Sequence, residues 1–331
     1  MEVMKGIYRI AVPLPQVALK EVDIYVIEGE KGNLLIDTGW NTPEAFNAVK
    51  DSLKIDGFEL RDITQIAITH FHPDHYGLAG KLKQLTNATL AMSEIEAPLL
   101  DGRYSNPENL LKELSAFLRV NGVTDSMLSK FSEASMPFRQ FVVTAKPDIL
   151  LKDGDTISMP PFELQVLLTP GHSPGHLCFY EPNRKMLFSG DMLLPEISTN
   201  ISYHPQSSDN PLGDFINSLK MLQEIDINFA FPAHGPVFSG TKPRIEALLY
   251  HHKNREREII QVAHNNLMNG YQIASQLAWA PGDKPVPFDK LSVWDKRLAV
   301  METLAHLQYL VYSGKARKME ENGVNMYFVE E

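Results

Sequence analysis

A run of metal-ligating side chains between residues 69 and 75 constrains this chain more than any other feature of its sequence. Three histidines and one aspartate fall within six positions: His70, His72, Asp74 and His75. The β-branched stretch before them predicts a strand, and the apolar spacing after them predicts a helix. A strand-to-helix loop can turn several side chains toward one point, and imidazole with carboxylate suits zinc or a similar metal. We therefore predict a metal site here rather than a histidine-rich surface turn.

Three further loops each carry one ligand-type residue beside a glycine, directly after a short apolar run. These residues are His172, Asp191 and His234. An adjacent glycine lets the backbone bend tightly and approach a metal closely. A single histidine after a strand is usually structural, but four loops with the same pattern predict one shared site.

Composition and length are those of an ordinary globular protein, with 44% hydrophobic and 22% charged residues among 331. No apolar run approaches the ~20 residues that a membrane-spanning helix needs, and the N-terminus lacks the features of a signal peptide. The single cysteine, Cys178, excludes an intramolecular disulfide, fits a reducing compartment and is expected to be buried. We therefore expect a cytoplasmic protein that does not enter membranes.

Two segments differ from the mixed strands and helices around them. Residues 95–141 are helical and loop-like, and we interpret them as an insertion that either folds over the metal loop or packs as outer helices. Residues 241–331 predict three helices and a hairpin whose turn is Asn322-Gly323. The sequence thus predicts a catalytic domain at 1–240 and a smaller, winged-helix-like domain after it.

The charge of the C-terminal segment bears on its partners. Positions 243–331 contain eleven Lys/Arg and eleven Asp/Glu, and the whole chain has a net charge of −10. Nucleic acid is held by an excess of basic residues, so nucleic-acid binding is an open but disfavoured alternative. We expect this segment to serve in packing or in a homodimer.

The ligand motifs resemble those of the metallo-β-lactamase superfamily, and within it the hydroxyacylglutathione-hydrolase-like branch. The matching residues occur in the family's order over about the first 240 positions: Asp37, His70, His72, Asp74, His75, His172, Asp191 and His234. The resemblance implies an α+β fold, a four-layer αββα sandwich with a dinuclear metal site at one edge.

The resemblance also implies a role for each matching residue. One metal would be held by His70, His72, His172 and Asp191. The other would be held by Asp74, His75, Asp191 and His234, with Asp191 bridging. Asp37 would orient the metal loop from beneath, and Asp74 would align a hydroxide for attack. The implied cofactors are two divalent ions, with zinc ahead of iron or manganese.

Differences within the superfamily narrow the activity. His72 stands where diiron oxygen- and nitric-oxide-reducing relatives carry a glutamate, which favours hydrolysis. Antibiotic-degrading members lack an aspartate at the position of Asp191, which argues against lactam degradation. The tail differs from the glutathione-binding end of glyoxalase II, so the substrate's thiol partner stays open.

These observations predict a dinuclear metal-dependent hydrolase whose metal-bridging hydroxide attacks an ester, thioester or lactone of a small molecule. One alternative is an endoribonuclease or phosphodiesterase that uses the winged-helix-like tail. A less favoured alternative is a mono-iron dioxygenase, because ligand types alone do not fix the metal.

Five other residues are further candidates for the site or its surroundings. Tyr203 and His204 follow Asp191 and are expected either to face the substrate or to serve only the loop. His176 is expected to support the ligands or to pack, without ligating metal. His251 and His252 stand in a charged helix and are predicted on a solvated face.

Overall fold

The computed structural model describes residues 1–14, 19–135, 140–280 and 284–329. Part of the predicted insertion, residues 136–139, therefore lies outside the described residues. Within the described ranges, short apolar runs form two large β-sheets, and amphipathic segments form the helices that cover them; two small sheets lie in the C-terminal segment.

The two β-sheets stack face to face at the centre of the molecule. The first sheet runs in the order β1 to β7: Glu2–Met4 (β1), Ile7–Pro13 (β2), Glu21–Gly29 (β3), Gly32–Ile36 (β4), Ile63–Ala67 (β5), Thr89–Ser93 (β6) and Ile149–Leu151 (β7). The second runs in the order β12-β11-β10-β9-β8: Thr156–Met159 (β8), Phe162–Leu168 (β9), Leu177–Glu181 (β10), Met186–Gly190 (β11) and Phe229–Pro232 (β12).

The inner faces of the sheets share one apolar core. Tyr25 of β3 packs edge-on against Phe231 of β12, with ring centroids 5.6 Å apart, and Phe188 completes this group. Each such side chain contributes about 1.5–3 kcal/mol by leaving water. The hydroxyl of Tyr25 donates to the carbonyl oxygen of Pro232 at 2.7 Å, which joins the sheets where β12 ends.

Helices cover the outer faces of both sheets. Their bounds are Pro43–Ile55 (α1), Pro73–Tyr76 (α2), Ala79–Thr86 (α3), Glu108–Val120 (α4), Asp125–Ser135 (α5), Pro211–Glu224 (α6), Thr241–Ala263 (α7), Gly270–Ala274 (α8) and Val293–Tyr312 (α9). α1 to α3 pack on the first sheet, and α6 and α7 pack on the second, which confirms the predicted αββα order. None of the described helices combines the length and the apolar character needed to cross a bilayer.

The C-terminal segment contains α7, α8 and α9 and ends in a hairpin of Ala316–Glu321 (β16) and Val324–Val329 (β17). Asn322 and Gly323 have φ of 51° and 77°, so both turn residues adopt the left-handed conformation that a tight hairpin needs. Three short strands lie between α7 and α9: Met268–Asn269 (β13), Ala278–Trp279 (β14) and Val286–Pro287 (β15). β13 pairs with β17, so the hairpin becomes part of a small sheet.

The predicted insertion divides its contacts between two parts of the molecule. Its first residues touch the metal loop, where the Tyr104 hydroxyl donates to the carbonyl oxygen of Phe71 at 2.5 Å. Its helices α4 and α5 instead share an apolar core with α9, for example through Leu118, Phe131 and Leu304. Both alternatives considered for the insertion therefore describe a part of it, and the domain boundary after residue 240 stays a prediction.

The prediction of a solvated face for both His251 and His252 is wrong for His252, which is 2% exposed. The buried residues of α7 include Ile245, Leu248 and His252, which follow one another at helical spacing, so His252 belongs to the stripe that faces the core. Its Nδ1 lies 3.4 Å from Nε2 of His306 on α9. The sequence did not indicate this buried stripe, because the residues next to His252 on α7 are mostly charged.

Acid pH should destabilise the fold through His306. Burial lowers the pKa of His306 to about 3, reinforced by Arg255 and opposed by the hydrogen bond to the carbonyl oxygen of Glu302. An unfolded histidine has a pKa of about 6.5, so on acidification the unfolded state takes up the proton first and stability present above pH 6.5 is lost. We expect His306→Gln to reduce the loss of unfolding free energy between pH 7 and 5 by about 2 kcal/mol.

Urea titrations of the wild type and the variant at both pH values measure this difference. His264→Gln, at the end of α7, is the matched control. An equal acid loss in the wild type and His306→Gln would contradict the assignment.

Candidate metal centre

The residues predicted to bind metal all lie on one edge of the sandwich, because each follows the carboxyl end of a strand. The loop of residues 69–75 follows β5, which is parallel to β4 and β6. His172 follows β9, and Asp191 and His234 follow the parallel strands β11 and β12. β10 is antiparallel to both β9 and β11, so these two strands end on the same edge.

Three imidazoles form the first group of potential ligands. His70, His72 and His172 offer ring nitrogens that all lie within 4.8 Å of one another. Nδ1 of His72 is 2.9 Å from Nε2 of both other residues. Burial, together with the neighbouring imidazoles, lowers the pKa of His70 and His72 well below the usual range. These rings are therefore neutral at physiological pH, the form that binds a metal.

Two carboxylates and two imidazoles form the second group. Asp74 Oδ2 lies 3.4 Å from Nε2 of His234 and 3.7 Å from Nε2 of His75. Asp191 Oδ1 lies 3.5 Å from both of those nitrogens, while its Oδ2 lies 3.5 Å from Nε2 of His172. The two oxygens of Asp191 thus face the two groups separately.

The donor set fits divalent cations. Among the described residues, His75 Nε2, His234 Nε2 and Asp191 Oδ1 are buried without a hydrogen-bond partner. A buried polar atom left without a partner costs about 1–3 kcal/mol, so three of them around one point are expected only where a ligand satisfies them. Nitrogen and carboxylate oxygen are donors for zinc and other first-row metals.

The protein's own carboxylates act on the imidazoles of the second group. Burial alone would lower the pKa of His75, but Asp191, Asp74 and Asp37 outweigh it and raise this pKa well above the usual value. Burial would also lower the pKa of His234, but the charges of Asp191 and Asp74 outweigh it and raise this pKa to about 9. A histidine must lose its proton to bind a metal, so cation binding here displaces protons.

The far nitrogen of each of these ligands is held by a fixed acceptor. His75 Nδ1 donates to Asp37 Oδ2 at 2.8 Å, and His234 Nδ1 donates to the carbonyl oxygen of Glu21 at 3.0 Å. Asp37 also accepts from the backbone N–H of Thr69 at 2.8 Å, which places it directly beneath the metal loop. These bonds fix the tautomers so that Nε2 is left to face the site.

Glu96 is a buried carboxylate that sequence reasoning missed. Its oxygens accept from the N–H groups of Phe71 at 2.6 Å and Gly175 at 3.0 Å, and from the Ser173 hydroxyl. Phe71 lies between two histidines of the first group and Ser173 follows His172, so one side chain holds two ligand loops. Burial raises the pKa of Glu96 to about 7, against the opposing effect of these hydrogen bonds. Its sequence signal was weak, since it is one of several acidic residues in the predicted insertion and belongs to no ligand motif.

Helix α9 is linked to the metal centre through Asn200 and Glu302, two residues that the sequence analysis did not identify. The carbonyl oxygen of Asn200 accepts from His172 Nδ1 at 2.9 Å, and the Asn200 amide donates to Glu302 Oε2 at 2.7 Å. Burial raises the pKa of Glu302. A residue of the C-terminal segment therefore positions the loop that orients a potential ligand.

The remaining candidates occupy supporting positions. His176 is fully buried, and its Nε2 accepts from the backbone N–H of Asp191 at 3.2 Å. Tyr203 packs edge-on against Phe117, with ring centroids 5.3 Å apart, and His204 is half-buried in the same loop. Cys178 is buried, as predicted, and burial raises its pKa to about 12, so it is a poor nucleophile.

Comparison with known proteins agrees with this edge-of-sandwich centre. The model of the Metallo-beta-lactamase superfamily matches residues 19–234, which is more than half of the chain. The protein therefore belongs to the metallo-beta-lactamase superfamily. The narrower hydroxyacylglutathione-hydrolase-like branch stays a prediction.

Similar proteins share most of the chain. A probable metallo-hydrolase, YqjP of Bacillus subtilis (strain 168), is 27% identical over 317 residues, 92% of each protein. The acyl-coenzyme A thioesterase MBLAC2 of Bos taurus is 29% identical over 210 residues, 61% of this chain and 67% of that protein. The crystal structure of a metallo-beta-lactamase family protein, TTHA1429 of Thermus thermophilus, matches with a TM-score of 0.86 and 27% identity, over 99% of this chain and 100% of that chain. Together, the family, its relatives and the ligand groups define a metal-dependent hydrolase.

Removal of the Glu96 carboxylate should weaken both the fold and metal binding. Glu96→Ala leaves the buried N–H groups of Phe71 and Gly175 without an acceptor, so we expect a stability loss of about 2–4 kcal/mol. Because the ligand loops then lose their common anchor, metal affinity should fall about 10–100-fold. Urea unfolding and competition with a chelating indicator measure the two effects.

Glu94→Ala is the matched control, because Glu94 is a nearby acid whose side chain is 43% exposed in a surface ion pair with Lys152. Unchanged metal affinity in Glu96→Ala would show that the ligand loops hold their positions without this carboxylate.

Proposed function

We propose that the protein is a dinuclear hydrolase that cleaves the thioester of a small acyl compound. The position of Asp191 carries the dinuclear part, because its Oδ2 faces His172 while its Oδ1 faces His75 and His234. The thioester is supported by the thioesterase activity named for MBLAC2, which is similar to this chain. Esters and lactones are the related substrates that the same chemistry would accept.

We assign the ligands by the group in which they lie. The first ion would be held by His70 Nε2, His72 Nδ1 and His172 Nε2. The second would be held by Asp74 Oδ2, His75 Nε2 and His234 Nε2. Asp191 would give one oxygen to each ion, and its negative charge would offset their repulsion. When bound, such a pair of ions supplies Lewis acidity that lowers the pKa of a water toward ~7 and polarises a carbonyl oxygen.

Asp74 is the side chain best placed to handle the proton of the attacking water. Burial would raise the pKa of Asp74, but the charges of His75 and His234 outweigh it and lower this pKa, so the group is a carboxylate. Its side chain keeps 19% of its exposure, so it lies at the open side of the group. A carboxylate here can accept a hydrogen bond from the water, orient it toward the acyl carbon and later pass the proton on.

The leaving group favours a thioester over an alkyl ester. A thiol has a pKa of about 8.5, so it departs as a thiolate without full protonation at neutral pH. An alkoxide is far more basic and needs a proton as it leaves. A proton that Asp74 takes from the attacking water can then be passed to the thiolate after it has left, and no separate acid is required.

The two alternatives receive less support from the geometry. A mono-iron dioxygenase needs one ligand group, whereas three overlapping groups of potential ligands lie here, and Asp191 has one oxygen near His172 and the other near His75 and His234. A nucleic-acid-binding role for the tail would use its hairpin, but Tyr327 of β17 is fully buried and Asn325 bonds to Asn121. Single-stranded RNA is therefore included in the substrate panel only for comparison.

Elemental analysis of the purified protein should find about two divalent ions per chain, with turnover of acyl thioesters in the same sample. Chelation should abolish turnover, and reloading with zinc, manganese or iron should restore it. The panel comprises acetyl and longer acyl thioesters, the corresponding oxygen esters, a lactone and single-stranded RNA. One iron per chain with oxygen uptake, or cleavage of RNA alone, would overturn the proposal.

Asp191→Ala tests whether Asp191, unlike the other ligands, is shared by the two ions. Without an oxygen between the groups, we expect the metal content to fall from two ions to about one, and kcat to fall about 10³-fold or more. Asp226→Ala is the control, because Asp226 is an exposed acid in an ion pair with Lys185. A variant that keeps two ions and full kcat would exclude a bridging role.

A further inference from the structure

Arg103 is a half-buried cation beside the metal loop. Its Cζ lies 4.0 Å from the ring centroid of Phe71, which separates His70 from His72 in the chain. Its Nη1 donates to Gln206 Oε1 at 2.8 Å. Among the described residues, Arg103 makes no salt bridge, although its charge partly offsets the rise that burial causes in the pKa of the nearby Glu96. A half-buried charge of this kind is stabilised further by an anion that reaches it.

The loop that follows Asp191 faces the same cation. The backbone N–H of Gln206 donates to His204 Nδ1 at 3.1 Å, so the Gln206 residue links Arg103 to His204. Burial lowers the pKa of His204 to about 3, and the charges of Arg103 and of Arg297 on α9 lower it further. Two guanidinium groups therefore act on one short loop beside the metal centre. We call Arg103 and the two uncharged residues linked to it, His204 and Gln206, the cationic wall, in which Arg103 carries the positive charge.

The positive charge of the cationic wall contrasts with the negative net charge of the chain. The protein has a net charge of −10, so an arginine without a salt bridge beside its metal centre is not a consequence of composition. A bound pair of divalent ions would add positive charge a short distance away. Such a field attracts anionic substrates and raises their rate of association.

We propose that the cationic wall is a subsite for an anionic group of the substrate, a carboxylate or a phosphate, carried by the thioester that the enzyme cleaves. This inference rests on the proposed function and specifies its substrate class. A guanidinium has five N–H donors in a planar fork, and the contacts to Gln206 and to the neighbouring Tyr104 cannot use them all. Stacking on Phe71 holds the fork in one plane, which suits bidentate binding of a carboxylate or phosphate.

The anion can lie on either side of the scissile bond, and four substrates distinguish the two sources. Acetyl-N-acetylcysteamine is neutral, succinyl-N-acetylcysteamine carries a carboxylate on the acyl side, acetyl-coenzyme A carries phosphates on the thiol side, and succinyl-coenzyme A carries both. For Arg103→Gln we expect KM to rise about 10–100-fold for at least one anionic class and less than about twofold for the neutral substrate. The substrates whose KM rises show whether the bound anion lies on the acyl side or on the thiol side.

Arg184→Gln is the matched control. Arg184 also stacks on a phenylalanine, with Cζ 4.4 Å from the ring centroid of Phe162, and also makes one hydrogen bond, to the carbonyl oxygen of Lys5. It lies in the turn between β10 and β11, at the end of the sandwich opposite the metal centre. Its removal should leave all four KM values unchanged. Arg103→Lys keeps the charge but not the stacked fork, and should fall between the wild type and Arg103→Gln.

Product binding supplies a readout that does not depend on turnover. Calorimetry with metal-loaded protein should show binding of succinate or of coenzyme A to the wild type and at least a tenfold weaker constant for Arg103→Gln. If the wild type hydrolyses none of the four thioesters, the proposed function fails, and the calorimetric result alone decides the subsite. If Arg103→Gln changes all four substrates equally, or none, and binds both products like the wild type, the inference is overturned. Should Arg103→Gln fail to fold, the Lys variant carries the same comparison.

Discussion

Buried carboxylates outside the ligand groups hold the metal centre together. A loop that carries four potential ligands within six residues has no sheet ladder of its own to fix it. Asp37 holds the loop instead, because its carboxylate accepts hydrogen bonds from the backbone N–H of Thr69 and from the ring of His75. Asp37 has a φ of 60°, a conformation that is uncommon away from glycine, and such local strain persists only where the surrounding structure fixes it. The convergence of ligands on one edge therefore depends on hydrogen bonds beneath the site as much as on the strands.

Features that depend on local chemistry were predictable from the sequence. The turn at Asn322 and Gly323 belongs to this class, because it is decided by a few adjacent residues. The strand preceding the metal loop was predictable for the same reason, from its β-branched residues. The two-sheet arrangement came from a resemblance of motifs, since pairing between distant strands leaves little trace in a single sequence.

Contacts between distant elements were not predictable. Glu96 is one of 41 acidic residues, and nothing near it in the sequence indicates that its carboxylate meets Phe71 and Gly175. Arg103 looks like a surface charge until the fold places Phe71 beneath it. His252 was placed on the wrong face because its neighbours are charged, whereas its burial is decided by α9 and α6, which pack against it from far along the chain.

The C-terminal segment is linked to the metal centre through α9. Glu302 on α9 holds the Asn200 side chain, and the Asn200 carbonyl holds His172, so a shift of α9 would turn a ligand. Arg297, on the same helix, acts on His204 of the cationic wall. If His172 binds metal and the cationic wall binds substrate, as proposed, α9 would couple the orientation of a ligand to the selection of the substrate. Substitutions along α9 would then change the substrate preference while the ligands stay the same.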